Sequence, residues 1–391
     1  MNRGFKIIAA IADVHIGNRS ISHKEYKYQL KHGIIEKLKN IAYLDGIVLC
    51  GDTLHYQISM NSEYADVFQW FIAALIKIAK SHGAFVRVIK GTKSHDLDQL
   101  NTIAHYEYDF GIDFKIINDF MIEEIDGHKY AYIAENYIKE DTDEYYKEIF
   151  DKPRDYFDMI FMHGTIEPCQ FTTQNSENLD SSAPIFKLSQ FYNVCRGPIL
   201  AGHIHTPMNF NDKFFYVGSA LRTCHGEEED KGWNIVSYIQ EEGCYRVDKV
   251  VNEYTFNFAT LKLSNNFIET NTVDEIASYV DNYIKDHKVD KLSLKVTCID
   301  KEDTTVKIGM LKKYFSKNTD ITLGFKVLSE KSYEQETVGT ERREKKPYLQ
   351  DGLDIVERIR LWALIERNTR ISEDEIRKYI SAKTLERKGI K

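Results

Sequence analysis

Five short apolar runs in this chain each stop at an aspartate or a histidine, and that recurrence constrains the fold more than any other feature. Residues 5–12 stop at Asp13-Val14-His15 and residues 46–50 at Gly51-Asp52. Residues 84–89 lead into Gly91-Thr92-Lys93-Ser94-His95-Asp96, residues 159–162 into His163, and residues 198–201 into Gly202-His203-Ile204-His205. Continuous apolar runs of this length read as strands buried on both faces. Between them, Tyr28, Leu30, Ile34, Ile35 and Leu38 recur at helical spacing over 23–40, as do Val67, Phe71, Leu75 and Ile78 over 63–81. Strand–helix–strand alternation predicts an α/β sandwich, and such sheets carry their sites at strand ends. In extended backbone, residues i and i+2 point the same way, so Asp13 can project with His15 and His203 with His205.

Further strands are expected at 129–134, 214–218 and 233–239. The site pattern stops near residue 250, so residues 1–250 are read as one domain. Residues 251–330 read as a small α+β domain: Leu292, Leu294, Val296 and Cys298 alternate as one strand, and Ile321, Leu323, Phe325 and Val327 as another. Helices are expected at 273–286, behind the capping box Thr272/Glu275, and at 304–316. Residues 171–184 read as a loop. A charge-rich linker is expected over 331–350, including Arg342-Arg343-Glu344-Lys345-Lys346. A helix pair follows within 351–391, at 353–367 and, behind Ser372/Glu375, at 373–382.

With 391 residues and a net charge of −8, the chain has no global positive field, so nucleic acid would have to be met locally. Six scattered cysteines form no C-x-x-C pair, which predicts reduced thiols and fits a cytoplasm. Asp13 comes too early for a cleavable leader, and no run approaches the roughly 20 apolar residues that span a membrane.

The chemistry-bearing set is Asp13, His15, Asp52, His95, His163, His203 and His205. Unpaired carboxylates and imidazoles buried at strand ends are costly, so the set points to metal. Aspartate and histidine without thiolate suit manganese, iron or zinc, and two ions account for this many ligands better than one. Such a pair can clamp a phosphodiester and activate a water. His95 is placed to meet the phosphate or protonate the leaving group, with Asp96 expected to orient its ring.

The order D-x-H, G-D, H-D, H, G-H-x-H resembles the calcineurin-like metallophosphoesterase superfamily, and within it the SbcD-type DNA-repair exonuclease subunits. Gly51-Asp52-Thr53-Leu54-His55 is similar to the second motif of that family. Tyr216-Val217-Gly218-Ser219-Ala220 followed by Glu227-Glu228-Glu229-Asp230-Lys231-Gly232 resembles a later one. The resemblance covers residues 5–240. It implies a four-layer α/β/β/α metallophosphoesterase sandwich with a capping domain and a C-terminal helix pair. It implies two divalent ions, manganese foremost. Asp13, His15 and His205 would hold one, His163 and His203 the other, and Asp52 would bridge them. His95 would be the catalytic histidine.

One departure stands out. The family's G-N-H-D is here Gly91-Thr92-Lys93-Ser94-His95-Asp96, two residues longer, with Ser94 in the asparagine position. Ser94 or a water would then complete the second ion's ligands. Lys93 and His55 are the expected DNA contacts. The implied activity is 3′–5′ exonuclease and endonuclease action on DNA ends and single strands, in the cytoplasm, including that of a phage-infected bacterium. The implied partners are a second copy of the chain and an SbcC-type coiled-coil ATPase docked on residues 351–385, where Trp362 is a candidate anchor. The alternatives are a phosphatase of the same superfamily, or a DNA-end scaffold for the ATPase with a weakened second metal position.

Overall fold

The computed structural model describes residues 5–96, 98–109, 111–136, 142–169, 183–318 and 320–329. The expected linker, the helix pair, Trp362 and most of the 171–184 loop lie outside the described residues. The chain divides into two compact units. One holds Met1–Thr260 with Tyr283–Leu292, the other Leu261–Asn282 with the chain from Ser293 on.

The first unit is mixed α/β, built on two six-stranded sheets. In one, the strands run in the order Cys244–Val251, Gly232–Ile239, Phe5–Ile11, Gly46–Cys50, Phe85–Ile89, Phe114–Ile117. The other runs Met208–Phe210, Phe214–Tyr216, Ile199–Gly202, Met159–His163, His128–Ile133, Phe120–Ile125. The strands bearing site residues are parallel to one another within each sheet, with Ile11 opposite Leu49, Cys50 opposite Ile89 and Gly202 opposite His163, although Phe5–Ile11 pairs antiparallel with Gly232–Ile239 on its other side. Parallel pairing brings their carboxyl ends to one edge of each sheet.

Alternation along each strand divides the core into three apolar clusters. Ile8, Ala10, Val48 and Cys50 pack with Tyr132, Phe161 and Leu200, so the sheets share one face. The opposite face of the first sheet, through Ile11, Ile47 and Val86, meets Leu30, Phe71 and Leu75 of the helical segments. The opposite face of the second meets Ile149, Phe191 and Val194. Strands covered on both sides are largely apolar. Gly46–Cys50, Phe85–Ile89, Met159–His163 and Ile199–Gly202 are buried at every residue, and their polar exceptions are Arg87, paired with Glu123 and Asp113, and the terminal His163.

The helix Glu63–His82 starts where Ser62 Oγ accepts from Ala65 N and ends at Gly83, whose φ of 66° is cheap only for glycine. The predicted helix over 23–40 is interrupted by a π-helical turn, Lys31–Ile35. There Trp233 Nε1 donates to the Gly33 carbonyl at 3.2 Å, and a side chain at 33 would collide with Asn252.

The chain from Phe258 on forms a three-stranded sheet, Phe258–Leu263, Lys291–Ile299 and Ile321–Leu328, with helices Asn265–Thr270, Val273–Asp286 and Glu302–Phe315, most of it in the second unit. Among the described residues no disulfide is formed. Among the described residues no helix is long and apolar enough to cross a membrane.

Candidate metal centre

The loops that leave the five strands interlock through their backbones. Asp13 N donates to Gly51 O at 3.2 Å and His15 N to Asp52 O at 3.0 Å. His203 N donates to both Asp13 carboxylate oxygens, at 2.9 and 3.1 Å, which ties one sheet to the other. Four of these residues hold left-handed backbone, with φ of 49° at Asp13, 51° at His15, 48° at Asp52 and 95° at His203. Such conformations cost a non-glycine residue about 1–3 kcal/mol each and concentrate where function requires them. Gly51 and Gly91 supply the clearance: a Cβ on Gly51 would lie 2.2 Å from His163 Nδ1, and one on Gly91 2.1 Å from Asp52 Oδ1.

The side chains converge as three adjoining groups, of which His15, His55 and His95 form the one without a carboxylate. Asp13, His15 and His205 each offer a ligand atom within 4.8 Å of the others, and so do Asp52, His163 and His203. Asp52 Oδ2 stands between these two groups, 3.9 Å from His15 Nε2 and 3.3 Å from His163 Nε2. His15 Nε2 and His205 Nε2 are 2.8 Å apart. Two imidazole nitrogens so close share a proton or face a common cation.

The outer nitrogens are committed elsewhere. His163 Nδ1 lies 2.8 Å from Cys50 O, so it carries the proton and presents Nε2 as the inner atom. His205 Nδ1 lies 2.9 Å from Glu227 Oε1. Glu227 is itself held by Thr223 N at 2.6 Å and by Lys231 at 3.3 Å. Carbonyl and carboxylate partners of this kind fix the ring and tautomer of metal-ligating histidines. The Glu227–Lys231 segment, noted in the sequence only as a motif, thus supports His205.

Charges alternate across the group. Burial acts to raise Asp52, but neighbouring His163 outweighs it and holds the carboxylate well below its ordinary range. Burial acts to lower His163, and Asp52 reverses that, so this imidazole is raised well above its usual value. Burial lowers His15, helped by His205; burial also acts to lower His205, but its hydrogen bond to Glu227 and the charges of Asp13 and Glu227 together raise it. One proton between the two nitrogens satisfies the His15–His205 contact. A divalent cation would take the place of those inner protons. The oxygen and imidazole donor set, without thiolate, fits such an ion.

His95 stacks on His55 with ring centroids 5.5 Å apart and an interplanar angle of 25°. Its Nε2 lies 3.9 Å from Asp52 Oδ2, and its Nδ1 pairs with the His55 carbonyl. Asp96 does not orient the ring as expected. Its carboxylate accepts from Leu54 N at 2.9 Å and Gly91 N at 2.8 Å, pinning the two loops together. Burial, reinforced by Asp52, raises it to about 7. Burial and the charge of His95 lower His55 to about 4. His55 also lines a hollow of about 300 Å3 with Asn18, Arg19 and Tyr56.

Ser94 is exposed, as is Lys93. Thr92 is the residue that faces the second group: its N lies 2.6 Å from Asp52 Oδ1 and its Oγ1 3.2 Å from Asp52 Oδ2. The two extra residues bulge outward after Thr92, so counting back from His95 selects the wrong side chain. A further carboxylate also lies here, that of Glu135, one residue past the expected end of its strand at 134. Its Oε2 is 3.2 Å from His203 Nδ1 and 3.4 Å from His163 Nε2. The strand-end rule that selected the other residues applies to Glu135 equally, but no neighbouring histidine or glycine drew attention to it.

No family model matches this chain, and no curated protein matches it. Among solved structures, the glutamine-dependent NAD+ synthetase of Acinetobacter baumannii, in complex with adenosine diphosphate, aligns over 92% of this chain and 70% of its own. The TM-score is 0.34 and the identity 11%. Another crystal structure aligns over 63% of this chain and 99% of its own, with the same TM-score and identity. Similarity this slight bears on neither fold family nor function.

Proposed function

We propose that this chain is a two-metal-dependent phosphodiesterase of the metallophosphoesterase type, acting on DNA as an SbcD-type nuclease subunit. The observation that carries the proposal is Asp52 Oδ2 standing between an Asp13/His15/His205 group and a His163/His203 group. The pairing of two mixed sheets face to face, with helices against their outer sides, supports reading the fold as the four-layer sandwich of that superfamily. DNA as substrate and a coiled-coil ATPase as partner rest on the sequence resemblance.

Asp13, His15 and His205 would hold one divalent ion, His163 and His203 the other, with Asp52 shared. Bound there, the ions would supply an activated water and stabilise charge on the phosphoryl oxygens. The protein's own part is orientation and proton control. His95 keeps Nδ1 on the His55 carbonyl, which leaves Nε2 as the atom able to hand a proton to the leaving oxygen. Neutral His55, stacked against it, sets the plane of the ring without competing for that proton. Left-handed backbone at Asp13 and Asp52 aims both carboxylates inward before any substrate arrives.

The test is cleavage of an end-labelled linear duplex with manganese, comparing the natural chain with Asp52→Ala and His95→Ala. Cleavage that requires manganese and collapses in both variants is expected. Turnover of phosphomonoesters with DNA left intact would refute the nuclease reading.

A further inference from the structure

We infer that Glu135 is a ligand of the second metal position, making that position carboxylate-rich. The inference rests on the two-metal reading above and concerns the group around His163 and His203.

A buried carboxylate needs a compensating charge, and Glu135 is 2% exposed. Among the described residues no lysine or arginine pairs with it. The side chains that meet it are His163, His203 and Thr92, at 3.4, 3.2 and 3.3 Å from Oε2. Asp52 approaches the same atoms: its Oδ2 lies 3.3 Å from His163 Nε2 and 3.2 Å from Thr92 Oγ1. Asp52 and Glu135 thus both reach His163 Nε2 and Thr92 Oγ1, and Glu135 reaches His203 Nδ1 as well. Two carboxylates do not converge on a single imidazole nitrogen for the sake of one proton. His163 has already committed Nδ1 to the Cys50 carbonyl, so a single inner nitrogen faces both acids.

Local structure explains how Glu135 arrives there. The His128–Ile133 strand is parallel to Met159–His163, with Ile133 opposite Met162, so the residues after Ile133 run alongside His163. Ala134 N then donates to Asp119 O at 2.7 Å and Glu135 N to Lys90 O at 3.4 Å. The second bond draws Glu135 toward the loop that carries Gly91 and Thr92.

The chemistry that follows is a preference for a hard divalent cation. Two carboxylates and a hydroxyl beside two imidazoles suit manganese or iron(II) rather than a tetrahedral thiolate-type zinc. A carboxylate in place of a neutral donor also adds one negative charge, which raises affinity for the ion.

Manganese binding measured by calorimetry and by metal analysis after gel filtration tests the assignment, with circular dichroism to check the fold. The natural chain is expected to bind two ions. Glu135→Gln is expected to keep the ion at Asp13, His15 and His205 and to bind the second about 100-fold more weakly or worse. Its electron paramagnetic resonance should change from a spin-coupled pair to an isolated manganese ion. Two ions bound by Glu135→Gln with unchanged affinity would overturn the ligand assignment and leave the two-metal reading intact. No manganese bound by the natural chain would overturn both. Anomalous diffraction from manganese-soaked crystals of the natural chain decides the matter if the variant does not fold: density touching Glu135 supports the assignment, and an ion remote from it refutes it.

Discussion

Replacing Glu227 by glutamine isolates the support behind His205. Glu227 accepts from His205 Nδ1 at 2.9 Å, from Thr223 N at 2.6 Å and from Lys231 at 3.3 Å. Although burial acts to raise it, the hydrogen bond from His205, the charges of Lys231 and His205 and the Thr223 amide together outweigh that and lower the carboxyl from 4.5 to about 2. At about 1.36 kcal/mol per pH unit, that difference contributes about 3 kcal/mol to the ion-free fold at neutral pH. A depressed carboxylate stabilises above its unfolded value and loses the contribution as pH falls through its folded one. The window therefore runs from about 4.5 down to about 2, and at pH 3.5 about 2 kcal/mol remains. Urea unfolding in chelator, at pH 7 and pH 3.5, should give Glu227→Gln a deficit of about 3 kcal/mol narrowing to about 2. The same variant should bind the first manganese ion roughly 10- to 100-fold more weakly. A deficit equal at both pH values, or below about 0.5 kcal/mol at pH 7, would refute the argument, because only the ionised pair makes it pH-dependent.

The raised imidazoles of His163 and His205 must give up protons to an ion, so affinity should fall as pH drops through their raised values. Calorimetry in buffers of different ionisation heat should register net proton release, and buffer-independent heats would exclude that account. A methyl at Gly91 would strike Asp52 Oδ1 and N at 2.1 and 2.2 Å. Gly91→Ala should destabilise the chain by about 1–3 kcal/mol and weaken metal binding; unchanged melting and unchanged stoichiometry would contradict the clash. His95→Ala should retain both ions while DNA turnover falls about 10²- to 10⁴-fold, the contribution usual for a general acid. Loss of an ion instead would make His95 a ligand.

Legibility in the sequence followed burial. The eight interior strands of the two large sheets were readable as largely apolar runs, and four of them are buried at every residue. The four edge strands, Cys244–Val251, Phe114–Ile117, Met208–Phe210 and Phe120–Ile125, were not. Among the described residues each lacks a strand partner on one side, and at least half of its residues are only partly buried or exposed, which breaks the run that periodicity detects. The same division holds in the site. Asp13, His15, Asp52, His163, His203 and His205 stand where strands stop, a local property of the sequence. Thr92 and Glu135 meet only through the facing of two sheets, which no local spacing records. Ser94 drew attention through its distance from His95, but the end of the preceding strand governs which side chain turns inward, and Thr92 is nearer to it. Asp96 is adjacent to His95 in sequence, yet its carboxylate is consumed by the amides of Leu54 and Gly91.

The left-handed backbone at Asp13, His15, Asp52 and His203 also bears on how such a chain changes over generations. Glycine would relax the backbone most at His203, where φ reaches 95°, whereas at Asp13 and Asp52 it would also remove the carboxylates that accept from His203 N and Thr92 N. Lineages selected for durability alone would therefore drift toward glycine at position 203 first, and a descendant that keeps His203 there records continued use of the site.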